Sequence, residues 1–151
     1  MPTITPFLWF DTQAEEAMNF YVSIFPRSKV LSINRAQGKV MSVAFELEGQ
    51  EFMGLNGGPK FRFTEAVSFS VGCETQQEID DLWARLTADG GAPGRCGWLK
   101  DKFGLSWQVV PGALGRLLGS GDPATSKRVM DALLRMDKLD VNGLQQAFDG
   151  T

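Results

Sequence analysis

A chain of 151 residues, 43% hydrophobic, 11% aromatic and 22% charged, is long enough to bury roughly two-thirds of its unfolded surface without a metal or disulfide staple. Its net charge of −3, with lysines and arginines scattered, offers no basic stripe to a phosphate backbone, so nucleic acid is not an expected partner. No apolar run reaches the roughly 18–20 residues of a membrane span and Met1-Pro2-Thr3 does not read as a signal peptide, so no membrane partner and a cytoplasmic location are expected. Histidine is absent. That removes the usual Ser-His-Asp and Cys-His nucleophiles, and it removes imidazole-ligated zinc or iron. Cys73 and Cys96 are too far apart for a CxxC pair, and both read as reduced, structural thiols.

In chain order, Ile4 to Phe10 reads as a strand rich in aromatic and β-branched residues. Thr12 with Glu15 fits a capping box, in which each side chain satisfies an amide of the other residue's backbone. Ala17, Phe20, Tyr21 and Ile24 then share one helical face until Pro26 stops the helix. Lys29–Asn34, Val40–Leu47 and Glu51–Leu55 read as strands, the last two joined by a tight hairpin at Glu48-Gly49-Gln50. The signature then returns. Val67 to Cys73 reads as a strand, Thr75 with Glu78 as a second capping box, and Ile79, Leu82, Trp83 and Leu86 as a second apolar face, ended by Gly90-Gly91. A short strand near Gly97–Lys100 and a strong one at Leu105–Val110 follow, with Asp101-Lys102-Phe103-Gly104 between them. Gly49-Gln50-Glu51-Phe52 lines up with Gly104-Leu105-Ser106-Trp107, so the second copy has the shorter middle.

The tail has no counterpart in the first half. Asp122-Pro123 is an N-cap followed by proline at the first helical position, and Val129, Met130, Leu133, Leu134 and Met136 give a mostly one-sided helix. Asp140 caps a second helix carrying Leu144, Ala147 and Phe148. Such a hairpin can cover an open sheet or cross to a partner chain. The predicted architecture is therefore α+β and a single domain over 1–151. Two βαβββ modules, at about 3–58 and about 64–112, form curled mixed sheets, and a C-terminal helical hairpin occupies about 122–149.

Several blocks carry a resemblance: Phe7-Leu8-Trp9-Phe10-Asp11, Glu15-Glu16-Ala17-Met18-Asn19-Phe20-Tyr21, Leu55-Asn56-Gly57-Gly58-Pro59, Ala66-Val67-Ser68-Phe69, and the long run from Cys96 to Pro111. They resemble the PhnB-like branch of the vicinal oxygen chelate superfamily, which includes glyoxalase I and the fosfomycin- and bleomycin-resistance proteins. That branch often carries the label 3-demethylubiquinone-9 3-methyltransferase. The likeness extends over nearly the whole chain, tail included. It implies a curled mixed sheet, a cavity inside the curl and a homodimer, exchanged or abutting, but no settled activity.

In metal-dependent members of the superfamily, four inward side chains from the first and last strands of each module hold a divalent ion. Those positions fall here on Gln108, its repeat mate Met53, a site near Ser68, and an ambiguous one between Thr5 and Leu8. Such a set supplies too few oxygen or nitrogen donors, so no metal and no cofactor are expected. Glu46, Glu48 and Glu51 read as solvated hairpin residues. A methyl-donor nucleoside needs a glycine-rich turn between strand and helix; Gly57-Gly58-Pro59 leads into no helix and Gly90-Gly91 follows one, so transfer by this chain alone is not expected.

Strand alternation nominates the lining of a cavity. Ser68, Ser70, Gln108, Val110 and Trp9 would point inward, with Trp98 and Asn56 at the rim. Indole faces with Ser, Asn and Gln anchors suit a planar or amphipathic small-molecule ligand. The bland reading stands beside it: Trp9, Trp98 and Trp107 also serve as packing residues, Asn56 as a turn former, and Arg95, Lys100, Asp101 and Lys102 as a solvated loop. Three functional classes remain open: a metal-independent binder; an enzyme of lyase, isomerase or transferase type, with Glu65 or Cys73 as its acid–base group; and a dimeric interaction module with a collapsed pocket. No catalytic residue is assigned.

Overall fold

The computed structural model describes residues 1–151, which divide into unit 1, Met1–Phe63, and unit 2, Thr64–Thr151. Each unit contains one four-stranded mixed sheet with a helix packed on it, and neither sheet closes on itself.

In unit 1, β1 (Phe7–Phe10) leads into α1 (Ala14–Ile24), followed by β2 (Ser28–Ala36), β3 (Lys39–Leu47) and β4 (Gln50–Asn56). The sheet order is β1-β4-β3-β2, with β1 parallel to β4 and the other pairs antiparallel. Two-residue turns, Gln37-Gly38 and Glu48-Gly49, join β2 to β3 and β3 to β4. All four residues have positive φ, the geometry that matches the right-handed twist of a hairpin. The predicted first strand is shortened at its start: Ile4 is exposed and the ladder begins at Phe7. β2 is an edge strand whose register shifts twice, between Val30 and Ser32 and between Asn34 and Arg35.

The helix of unit 1 buries Ala14, Ala17, Met18, Tyr21 and Ile24; Phe20 is only half-buried. Beneath them lie Leu8, Phe10, Val43, Phe45, Leu47 and Phe52, with Phe45 and Phe52 stacked at 5.5 Å. Burying each large apolar side chain here stabilises the unit by roughly 1.5–3 kcal/mol. The expected capping box at Thr12 does not form. The helix starts at Ala14, one residue later than a Thr12 cap would start it, with no side-chain cap at Gln13, and the Ala14 amide donates instead to Asn56 Oδ1 at 2.8 Å. Glu15, released from capping, pairs with Arg35 at 2.8 Å.

Unit 2 repeats the plan with β5 (Ser68–Cys73), α2 (Gln76–Leu86), β6 (Ala92–Pro93), β7 (Trp98–Lys100) and β8 (Ser106–Pro111), in the order β5-β8-β7-β6 with β5 parallel to β8. Here the predicted cap is made. Thr75 accepts the Glu78 amide at 3.1 Å, while Glu78 reaches back to the Glu74 amide at 3.0 Å. Ile79 and Leu86 are fully buried, and Leu82 and Trp83 half-buried. The core of the sheet's helix side is Leu99, Leu105, Trp107, Val109 and Cys73.

Asp101 departs from the sequence reading. It is 2% exposed rather than solvated. Its Oδ1 accepts the amides of Phe103 and Leu105 at 2.9 and 3.1 Å, and its Oδ2 accepts the Trp107 indole N–H at 2.9 Å. One carboxylate thus folds the β7–β8 loop and seats the largest side chain of the core.

After β8 come a short helix, α3 (Leu114–Leu118), and the predicted hairpin, α4 (Pro123–Leu133) and α5 (Val141–Asp149). Asp122 accepts from Ala124 and Thr125, and Asp140 from Gly143, so both caps form. Leu117, Val129, Leu133, Leu139 and Leu144 make a small core of their own.

Candidate functional site

In a sheet, residues directly opposite one another across a ladder share a face. Ser68 lies opposite Ser106, Ser70 opposite Gln108, and Gln108 opposite Trp98. The face of unit 2 turned away from α2 therefore gathers Ser68, Ser70 and Gln108, as alternation predicts, and adds Trp98, expected at the rim, with Ser106 and Lys100. Gln108 Nε2 donates to Ser68 Oγ at 3.0 Å. Trp98 is half-buried and its indole makes no hydrogen bond within the chain. Ser106, one strand step from Gln108, is 1% exposed and its hydroxyl has no partner. The sequence reading missed it, although the same two-residue period runs back from Gln108 to Ser106.

The charges on this face cancel. Lys100, opposite Ser106, forms an ion pair with Glu65. The hydrogen bond from Lys100 holds the Glu65 carboxyl below its ordinary range, which makes Glu65, an exposed residue, a weaker base. The other acid–base candidate, Cys73, is 2% exposed on the helix side. Burial, with a smaller contribution from Glu78, pushes its thiol up to about 11. A thiol so raised stays protonated near neutral pH and is a poor nucleophile.

Trp9 and Asn56 belong to unit 1 and occupy opposite faces of its sheet. Trp9 shares its face with Phe7, Met53 and Leu55, as the register requires. Its indole N–H donates to the Gly58 carbonyl at 2.9 Å and its ring meets Phe61 edge-on at 4.9 Å. Gly57 is dictated by that ring, since a Cβ there would fall 2.3 Å from the indole. The glycines after β4 thus serve Trp9. Asn56 turns to the helix side, accepting the Ala14 amide and donating to the Val40 carbonyl at 3.2 Å, so both ends of its amide are engaged within the unit. At the β2 side of unit 1, an open depression of about 340 Å³ is lined by Arg27, Ser28, Lys29, Glu46, Glu48 and Gly49; an Arg27–Glu48 ion pair crosses it.

Three of the four positions to which the resemblance assigns metal ligands fall on or near a primary amide bonded to a hydroxyl, Gln108 and Ser68, and a thioether, Met53; the fourth lies between Thr5 and Leu8. None is anionic and none is an imidazole, so these residues do not fit a divalent cation that must shed its water.

The sequence pattern that defines the family described as 3-demethylubiquinone-9 3-methyltransferase matches residues 2–110. The chain belongs to that family. This PhnB-like chain is 40% identical to a PhnB protein of Bacillus cereus that carries the same methyltransferase description; the match covers 72% of this chain and 99% of that one, with a TM-score of 0.67. A Pseudomonas aeruginosa protein, 19% identical, shares the fold over 74% of this chain and 98% of its own, with a TM-score of 0.62. A glyoxalase-related enzyme of Fulvimarina pelagi, 13% identical, does so over 72% and 87%, with a TM-score of 0.50. The α+β architecture, with its two mixed sheets, thus resembles that of this glyoxalase-related enzyme. No protein of curated function matches the chain. The family pattern ends at residue 110, so the helical tail lies beyond the matched residues. No helix is long and apolar enough to cross a membrane.

Proposed function

We propose that this PhnB-like protein binds a small, planar, uncharged molecule on the open sheet face of unit 2, without a metal and without covalent chemistry. The observation that carries the reading is the chemistry of that face: an unbonded indole, a Gln108–Ser68 pair, and a lysine neutralised by Glu65. An aromatic amide or phenol would stack on Trp98 and exchange hydrogen bonds with Gln108 and Ser68. A fixed charge on the ligand would be left unpaired there, at a desolvation cost. The depressed Glu65 and the raised Cys73 thiol favour binding over acid–base catalysis.

The protein acts as a homodimer in this reading, supported by the apolar side chains that β1 and the β4–β5 connection leave in solvent. Phe7 and Phe61, beside Trp9, are 52% and 55% exposed, and Val67 is 64% exposed. Two unpaired thiols suit the cytoplasm. Calorimetry and thermal shift with benzamide and phenol, against benzoate and benzylamine, test the ligand class. The neutral pair should bind and Gln108→Ala should weaken them by about tenfold, the loss of one good hydrogen bond. Preference for either charged compound, or no response to any of the four, would refute the reading. Sedimentation measurements should give twice the chain mass.

A further inference from the structure

Unit 2 carries a helical tail beyond the end of the family pattern, which stops at residue 110; the Bacillus cereus relative is matched over 99% of its length yet covers only 72% of this chain. That tail is fastened to the candidate face itself. Val110 is two residues from Gln108 on the same side of β8, and it packs against the core formed by Leu117, Val129, Leu133, Leu139 and Leu144. The loop before Trp98 is held by the same tail. The amides of Cys96 and Gly97 donate to the carbonyls of Met136 and Asp137, each at 2.8 Å. Both loop residues are left-handed, with φ of 61° and 84°, a conformation that cysteine keeps only when its surroundings hold it there.

Leu139, buried in the tail core, fills the space next to Gly97. A Cβ at that position would sit 3.1 Å from Leu139 and 2.9 Å from the Val109 carbonyl. The Gly97 carbonyl in turn accepts the Val109 amide at 2.8 Å, tying the loop to the strand that bears Gln108. Gln76, at the start of α2, clamps the tail from the other side. Its Oε1 accepts the Val141 amide at 2.8 Å, and its Nε2 donates to the Leu139 carbonyl at 3.0 Å. β7 has three residues and β6 two, so the ladder alone gives Trp98 little support.

We propose that the helical tail is a positioning and end-wall element of the unit 2 face: it fixes Trp98 through the Arg95–Gly97 loop and closes the face at Val110, so that only short planar ligands fit. Gln76 and Leu139 are its positioning residues. The inference rests on the binding reading above and adds a ligand-length limit set by a segment that lies beyond the family pattern.

The full-length protein is compared with Gln76→Ala and Leu139→Ala. Three quantities are read: amide exchange at Cys96 and Gly97, the Trp98 indole N–H resonance (assigned with Trp98→Phe), and the affinity ratio of benzamide to biphenyl-4-carboxamide. Loosening the tail should speed exchange at both amides by about tenfold or more, move the Trp98 resonance while leaving that of Trp9 in place, and lower the ratio by about fivefold, as the longer amide gains room. A purely structural tail would let exchange rise while the Trp98 resonance and the ratio stay fixed, and that result overturns the proposal. So does unchanged exchange at 96–97 in both variants, which would show that the tail does not hold the loop. If the resonance moves but the parent protein binds neither amide, the positioning role stands and the binding reading falls.

Discussion

The two units build one plan with opposite means of securing it. In unit 1 the helix start is held from afar: Asn56, at the end of the last strand, takes the Ala14 amide. In unit 2 the helix caps itself through Thr75 and Glu78, which leaves Gln76 free to hold the tail. The hairpins differ in the same sense. Unit 1 closes β3 on β4 with two left-handed residues and no buried polar group, whereas unit 2 closes β7 on β8 around the buried carboxylate of Asp101. A duplicated module can therefore keep its topology while the interactions that enforce it are exchanged for others. The copy that caps itself locally is the one whose other groups are free for attachment.

The sharpest way to break this contrast is at the hairpins. Asp101→Ala leaves three donors without their acceptor in a dry site and should destabilise the protein by about 3–5 kcal/mol in urea titration, whereas Glu48→Ala should stay within about 1 kcal/mol. Near-equal losses would mean that the two turns are held alike. Next come the helix starts. Asn56→Ala removes a half-buried amide that makes two bonds, and should cost about 2 kcal/mol against about 1 kcal/mol for Thr75→Ala; a larger loss at Thr75 would reverse the comparison.

A third test uses Cys73, whose thiol stays protonated in the folded state up to about 11 against an ordinary value of 9.0. Its contribution is complete below the ordinary value and is lost as pH rises towards the folded one, because the unfolded chain ionises first. Stability should fall across that window in the parent and less steeply in Cys73→Val, as read from denaturation midpoints. The smallest effect belongs to Glu65→Gln, an exposed pair whose removal should leave the midpoint unchanged. A clear drop would mean that the Glu65–Lys100 pair is covered in the assembled protein.

Elements fixed by local chemistry were legible in the sequence. The helical faces around Tyr21 and Ile79 and the tail caps at Asp122 and Asp140 all come from neighbours in sequence. So does the alignment of Gly49 with Gly104, whose φ values are 88° and 87°. What was not legible depends on distant partners. Thr12 carries the right residue type for a cap, but Asn56 competes for the helix start from across the sheet. Asp101 has the composition of a solvated loop and is buried by what surrounds it. β6, with two residues, and α3, with five, are too short to show a period. For the site, alternation grouped Ser68, Ser70 and Gln108 because the sheet has a period of two. It could not tell that Asn56 lies on the helix side of its own strand, opposite Phe10 in the ladder.

The extra residue that β2 carries at Leu31 has a consequence for the protein at high concentration. A nine-residue edge strand with Val30 and Leu31 both 42% exposed offers a row of unpaired amides and carbonyls to any other extended chain. The bulge at Leu31 interrupts that row, so a straight strand added alongside would lose its pairing after a few residues. Straightening β2 by deleting Leu31 would turn a poor template for fibril growth into a good one.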